Sequence, residues 1–464
     1  MKRGLIIVSV GYWLSRAVFY LAGIRFLGLD NLNTYLQIID PPLLEHHLLA
    51  SLYYSSFPPL YNAVVGVLLK LFGVSAPAFA ALHLLLGWAL ALAMFALMTD
   101  LGVGGSLAAG ATLLFMILPP VILYENWLFY TYLETLLFTL AGWSFLRFTR
   151  NPAIGWGLGL FACDAALALL NARMMFFAGV LAALLWWRWR GRPTPPRLRR
   201  VVVLSATPLL LVLLVMAKNA WLFGAFTVDP HFGFHMGNGF IYAAWSNPEI
   251  HAVCEQDYPI LLIPPMGFPP AEKAGLPVPA RTGVALLDDS LRSGGQPNYH
   301  TMYFLEVSPL YTDALEDFVL RHPRLYGWFV GKAFVNFWAP SNHYRFFPEQ
   351  NRSILGRYDS AYAMIYPLLL ALYAAGVGYA LYAGWRERWK TAEAATLGLL
   401  VAIVGYTMLA IFVTLAENDR YKFTVEPLLW ILAAYAIQQM PFFARRRPIA
   451  GGDAAQSVTG RSGG

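Results

Sequence analysis

The stretch AYAMIYPLLLALYAAGVGYALYAG, from Ala361 to Gly384, contains no ionisable side chain except tyrosine. A helix needs about 20 apolar residues to cross a hydrocarbon core, so this run is long enough to span a bilayer by itself. The run from Ala394 to Ala416 reads the same way. Both belong to a chain of 464 residues that is 58% hydrophobic and only 13% charged, which places it among polytopic membrane proteins. The net charge of +7 is no sign of nucleic-acid binding, because the basic residues sit in short clusters beside apolar runs. That pattern sets the orientation of a membrane protein.

Those clusters thread the chain. Placing Met1–Arg3, Arg147–Arg150, Arg188–Arg200, Arg386–Lys390 and Arg445–Arg447 on the cytoplasmic side is satisfied by about ten transmembrane helices. They fall at 4–27, 76–98, 102–119, 127–147, 153–170, 172–188, 201–223, 361–384, 393–416 and 424–443, with both termini inside. The first run contains Arg16 and no small-residue cleavage site, so it reads as a retained span and not a signal peptide. The expected fold class is therefore an all-α polytopic membrane protein with juxtamembrane helices and a mixed extracytoplasmic segment.

Four units follow: a transmembrane module 1–223 with an outer loop 28–75, an extracytoplasmic lobe 224–360, C-terminal helices 361–443, and a Gly- and Ser-rich tail 444–464 expected to be disordered. Segment 58–73 is apolar but short, and counting it as a span would invert the later clusters. It reads as a juxtamembrane helix. Leu44, Leu48 and Leu52 recur at helical spacing, which predicts an amphipathic interfacial helix upstream. Cys163 lies in an apolar run and Cys254 in a polar loop, so no disulfide is expected.

The threading brings Asp30, Asp40, Glu125, Glu134, Arg173, Lys218 and Arg420 to one depth, near the outer boundary. Charges are costly there unless they face a polar cavity. Asp30 and Asp40 are candidate general bases for a hydroxyl at the interface. Each also has a plainer role, Asp30 as a helix cap and Asp40 before a proline turn. Arg173, Lys218, Arg420 and Lys422 are candidate phosphate or sugar contacts, because guanidinium forks and ammonium groups suit phosphate oxygens. Glu125, Asn126, Glu134 and Glu417 are candidates for positioning an acceptor or the cations. Glu134 could equally pair with Arg173, and Arg16 with Asp164, as structural bridges. His231 and His235 could share a helix face, but no third metal ligand is evident. A divalent metal bound by the outer-face acids stays open, and no phosphate-binding glycine loop or nucleophile elbow occurs.

The first-loop acid, Pro58-Pro59-Leu60-Tyr61 with Lys70-Leu71-Phe72-Gly73, and Arg420-Tyr421 with Pro427-Leu428 resemble motifs of the GT-C superfamily of membrane glycosyltransferases. Protein O-mannosyltransferases and the aminoarabinose transferases of lipid A are the most similar branches. Tyr124–Tyr130, Lys218-Asn219 and Asn351-Arg352 are similar to a bacterial subgroup. The resemblance implies catalysis on the outer face of a bacterial inner membrane. It implies a polyprenyl-phosphate sugar donor, a first-loop Asp as base, an inverting transfer, and a lipid, glycan or protein acceptor. This chain departs from the pattern twice: Asn31 follows Asp30 where relatives carry an Asp-Glu pair, and Ser55-Ser56-Phe57 precedes Pro58 where many carry a basic residue. The chemistry fits the residue types independently. A phosphate leaving group needs cations and no proton, while the acceptor hydroxyl needs one carboxylate. The rival readings are a lipid or glycan transporter or flippase, a catalytically inactive assembly protein of the same fold, and a polysaccharide polymerase or ligase.

Overall fold

The computed structural model describes residues 2–189, 196–267, 269, 271–343, 347–410 and 418–440. Arg445–Arg447, Glu417 and the tail 444–464 lie outside the described residues. Among the described residues the chain is helical, and the lobe, expected to be mixed, holds helices and turns with no strand. Two isolated bridges, Leu27 to Trp127 and Leu291 to Pro297, are its only extended pairings there.

Each of the ten expected spans overlaps a helix, but fewer qualify as crossings. Lys2–Leu21, Ala76–Asp100, Glu349–Arg386 and Ala392–Ala410 are each long and apolar enough to cross a membrane. Two bent pairs bring the number to six. Gly105–Met116 continues into Pro119–Glu125 across a 62° bend, and Leu198–Ser205 into Leu209–Phe223 across a 46° bend. The first bend has a local cause. Pro119 and Pro120 lack amide protons, and Leu118, preceding them, is pushed to an extended ψ of 144°. Large apolar side chains on these helices stay exposed, among them Ile6, Leu14, Leu214, Met364 and Leu368. Exposed apolar surface of that extent is tolerated against lipid and not against water, so the chain is a multi-pass membrane protein.

Thr131–Arg150 and Asn418–Gln438 form the centre of the bundle and pack on each other. Asn418–Gln438 is buried on almost every face although it carries Arg420, Lys422 and Glu426. Helices surrounded on all sides belong to a core, and their charges must then be answered internally. Lys422 and Glu426 are answered in this way. The Lys422 ammonium donates to the Ala339 carbonyl at 2.6 Å and to the Tyr366 hydroxyl at 2.5 Å. Ser341 and Tyr373 donate to the Glu426 carboxylate at 2.9 and 3.1 Å.

The strongest buried pair joins the first helix to the bent one. Arg16 donates to both oxygens of Glu125, at 2.7 and 2.8 Å, and to the Met116 carbonyl at 2.7 Å. Tyr132 and Tyr12 hydroxyls lie 2.8 and 3.0 Å from the same carboxylate. Gly87 makes room for this cluster, since a Cβ there would fall onto the Glu125 carboxylate. Arg16 thus pairs with Glu125 and not with Asp164, whose two oxygens are buried with no hydrogen-bond partner.

The segment after Phe223 has a core of its own. Phe240, Ile250, Cys254, Val307, Tyr311, Phe318 and Phe329 pack together from Phe232–Ser246, Pro248–Asp257, Met302–Arg321 and Pro323–Phe337. Phe232–Ser246 crosses Met302–Arg321 at Gly233 and Gly237. A Cβ at the first would overlap the Ser308 carbonyl, and one at the second would overlap the Tyr311 ring. Both cysteines, Cys163 and Cys254, are buried and unpaired. Glu349–Arg386 runs on as one helix past residue 360, broken only at Gly356, where φ is 33°.

Three outcomes follow. Glu125→Ala leaves the Arg16 guanidinium buried without its partner, and the expected cost is about 3–5 kcal/mol. Asp164→Asn removes a carboxylate that has no partner, and it should leave thermal stability in detergent unchanged or raise it. Gly233→Val should lower the melting temperature by forcing apart the two lobe helices, and Gly327→Val, where a Cβ meets open space, should not.

Candidate functional site

A cavity of about 410 Å³ opens where the first loop, the start of Thr131–Arg150, the turn after Ile154–Leu170 and the segment 225–236 meet. Its volume is typical of small-molecule pockets, which are mostly apolar with a few convergent polar groups. Pro58, Tyr61, Phe129, Tyr130 and Tyr421 supply the apolar and aromatic wall. Arg173, Asp229 and His235 supply its ionisable side chains. Pro58, Tyr61 and Tyr421 are thus residues of the quoted motifs brought to one place.

Arg173 is held by its backbone. Asn171 caps the 3₁₀ turn Ala172–Phe176, its side-chain oxygen accepting from the Arg173 amide at 3.2 Å. The Tyr406 hydroxyl donates to the Arg173 carbonyl. The guanidinium lies over the Tyr421 ring, with Cζ 4.6 Å from its centroid, and Nη1 is buried without a hydrogen-bond partner. Arg420 lies at the same 4.6 Å from that centroid and at 4.6 Å from the Phe129 ring. Its Nη2 donates to the Tyr421 hydroxyl at 2.7 Å. Two guanidiniums therefore share one aromatic ring. Glu134 feels the field of both and takes a hydrogen bond from Asn171 at 3.3 Å. Arg173, Arg420 and Glu134, distant in sequence, are thus brought together.

The other expected site residues lie elsewhere. Asp30 is exposed and is not in the cavity wall; its backbone carbonyl caps the short helix Asn31–Thr34. Asp40 is bound by the lobe: the Ser293 amide and hydroxyl donate to its two oxygens at 2.9 and 2.7 Å. Next to it, Arg292 donates to the Asn33 and Tyr35 carbonyls at 3.0 and 2.8 Å, so the pair clasps the first loop. Lys218 does not reach the cavity wall. Its ammonium donates to the Ser55 carbonyl at 2.6 Å, and neighbouring Asn219 holds the Thr227 and Val228 carbonyls. Lys422 is locked into the Glu426 network, and Glu125 into the Arg16 pair. Asn126 bonds the Ile122 carbonyl within its own turn and accepts from the Leu27 amide. Among the described residues no group of three His, Cys, Asp or Glu side chains is placed to hold a metal ion.

Asp229 is a cavity residue that neither spacing nor expected depth singles out. Its Oδ1 accepts from the His231 amide at 2.9 Å and lies 3.2 Å from His231 Nδ1. Its Oδ2 lies 3.0 Å from His235 Nε2. Burial alone would raise this carboxyl, but the charge of His235 and the hydrogen bonds from both imidazoles outweigh it and hold the group well below the usual carboxylate range. Burial lowers His231 despite Asp229, and it lowers His300 further. Phe57 sits among the three rings, stacked on His231 at 4.1 Å and edge-on to His300 and His235 at 4.8 and 5.9 Å. The signal available in the sequence was an acid at −2 and −6 from two histidines already paired by spacing.

No family model and no curated protein matches the chain. Among solved structures, the crystal structure of ArnT from Cupriavidus metallidurans bound to undecaprenyl phosphate is similar to it. It is 16% identical, over 90% of this chain and 78% of that one, with a TM-score of 0.34.

Proposed function

We propose that the protein is a membrane glycosyltransferase of GT-C type, moving a sugar from a polyprenyl-phosphate donor to an envelope acceptor on the outer face of a bacterial inner membrane. The observation that carries the reading is the Arg173 guanidinium, which lines a largely apolar cavity with one buried nitrogen that meets no acceptor among the described residues. An unpartnered buried donor costs free energy until an anion meets it. A phosphate oxygen is the anion a guanidinium fork fits best.

Arg420, behind the same tyrosine ring, raises the positive potential at the phosphate without needing to touch it. The leaving phosphate gains charge as the sugar–oxygen bond breaks, and fixed cations in a dry site stabilise that charge. The aromatic wall from Tyr61, Phe129 and Tyr130 suits both a sugar ring and the first isoprene units. Asp40 and Lys218 then act at one remove, the first by tying the lobe to the first loop and the second by fixing the Ser55–Pro58 approach.

Purified protein in lipid nanodiscs should bind undecaprenyl phosphate and turn over one of a panel of undecaprenyl-phosphate hexoses and pentoses. Arg173→Ala should weaken undecaprenyl phosphate binding roughly tenfold to hundredfold, as loss of a charge-assisted hydrogen bond of about 1.5–3 kcal/mol requires. Asp30→Asn should keep binding and turnover within a few-fold. Equal binding by Arg173→Ala and the native protein would remove the basis of the reading. Net movement of the lipid across proteoliposome membranes without sugar transfer would favour a flippase. In intact cells, a membrane-impermeant maleimide should label Asp30→Cys and spare Thr391→Cys; the reverse pattern would place the cavity on the cytoplasmic side.

A further inference from the structure

Sugar transfer to a hydroxyl needs a proton acceptor, and the acids expected in that role, Asp30 and Asp40, do not serve it, nor does Glu125. Asp30 faces solvent, Asp40 is bound by Ser293, and Glu125 is bound by Arg16. The carboxylate that does line the cavity is Asp229, with His235 beside it. We infer that His235 is the base that takes the acceptor hydroxyl's proton and that Asp229 is its positioning residue, an inference that rests on the transferase reading above.

The geometry supports the assignment in three ways. A carboxylate oxygen 3.0 Å from His235 Nε2 fixes the proton on that nitrogen, which leaves the lone pair on Nδ1. Asp229 is itself oriented by the His231 amide, so the pair has little rotational freedom. The close approach of Gly233 and Gly237 to Ser308 and Tyr311 seats the Phe232–Ser246 helix, and the Phe57 ring lies edge-on to the imidazole. A base, an orienting carboxylate and a cationic anion site in one cavity is the arrangement of acid–base sites generally.

The step balances. The acceptor oxygen attacks the anomeric carbon, and the bond from that carbon to the phosphate oxygen breaks. The electron pair leaves on the polyprenyl phosphate, unprotonated and held at Arg173. The hydroxyl proton moves to His235 Nδ1, and Asp229 stabilises the imidazolium until solvent takes the proton. Other charged groups face the pair from each side. His231 belongs to the same segment and His300 lies behind Phe57, and burial lowers both imidazoles. Arg292 is bound at the first-loop carbonyls, Lys218 at Ser55, and Arg173 lines the cavity.

The test uses nanodisc-embedded protein, the undecaprenyl-phosphate sugar panel and undecaprenyl phosphate binding. His235→Ala should lose about a hundredfold or more in kcat, the usual contribution of a general base, with undecaprenyl phosphate affinity unchanged. Added imidazole should restore part of the rate. Asp229→Asn should likewise lower kcat with undecaprenyl phosphate affinity unchanged, and Asp229→Glu should recover part of that rate. His235→Ala active within a few-fold of native, or a rate loss matched by lost lipid affinity, would overturn the assignment. So would an Asp229→Asn variant whose kcat stays within a few-fold of native. If the native protein binds the lipid phosphate yet turns over no donor, the transferase reading fails first and the base with it.

Discussion

An ionised side chain inside an apolar helix bundle has to be met by an opposite charge, by hydrogen bonds or by a ligand. The arrangement of this protein is largely a set of answers to that requirement. Arg16 and Glu125 answer each other, with Tyr12 and Tyr132 completing the carboxylate. Lys422 and Glu426 are absorbed by the Ala339 carbonyl and the hydroxyls of Ser341, Tyr366 and Tyr373. These clusters hold the first helix, the bent helix and the last helix in register. They are structural because their hydrogen-bonding capacity is used up within the protein.

The cavity differs because its charges are positioned without being fully used. Arg173 is pinned through its backbone by Asn171 and Tyr406, while one nitrogen of its guanidinium meets no acceptor among the described residues. Asp229 and His235 are fixed relative to each other by a short contact and held in place by a helix crossing at Gly233 and Gly237. A cationic end and a proton-accepting end in one cavity beside lipid-facing helices suit transfer from an anionic lipid carrier to a hydroxyl. The first loop carries no reacting group in this view. Through Asn62, Asp40 and Phe57 it builds the wall on which the two ends sit.

The helices were legible because uncharged runs of twenty or so residues leave few alternatives, and all ten expected segments contain a helix. Their number as independent crossings was not, since proline bends such as the one at Pro119 divide a hydrophobic run into pieces. Among the candidate site residues, Arg173, Arg420 and Glu134 were singled out by the depth the threading gives them, because three charges expected at one level of a bilayer suggest a common polar surface. Depth says nothing about direction around a helix. That is why Lys218 and Lys422, at a similar level, turn out to face the Ser55 carbonyl and the Glu426 network instead. Asp229 and His235 come from the lobe after the seventh expected span, and only the packing of that lobe against the first loop brings them to the cavity.

The most direct test of this account is a structure of the protein with undecaprenyl phosphate bound. The account places the phosphate within hydrogen-bonding distance of the Arg173 guanidinium, with the prenyl chain running out past Tyr61 and Pro58. A phosphate seated away from Arg173, at Lys218 or on the opposite face of the bundle, would contradict it.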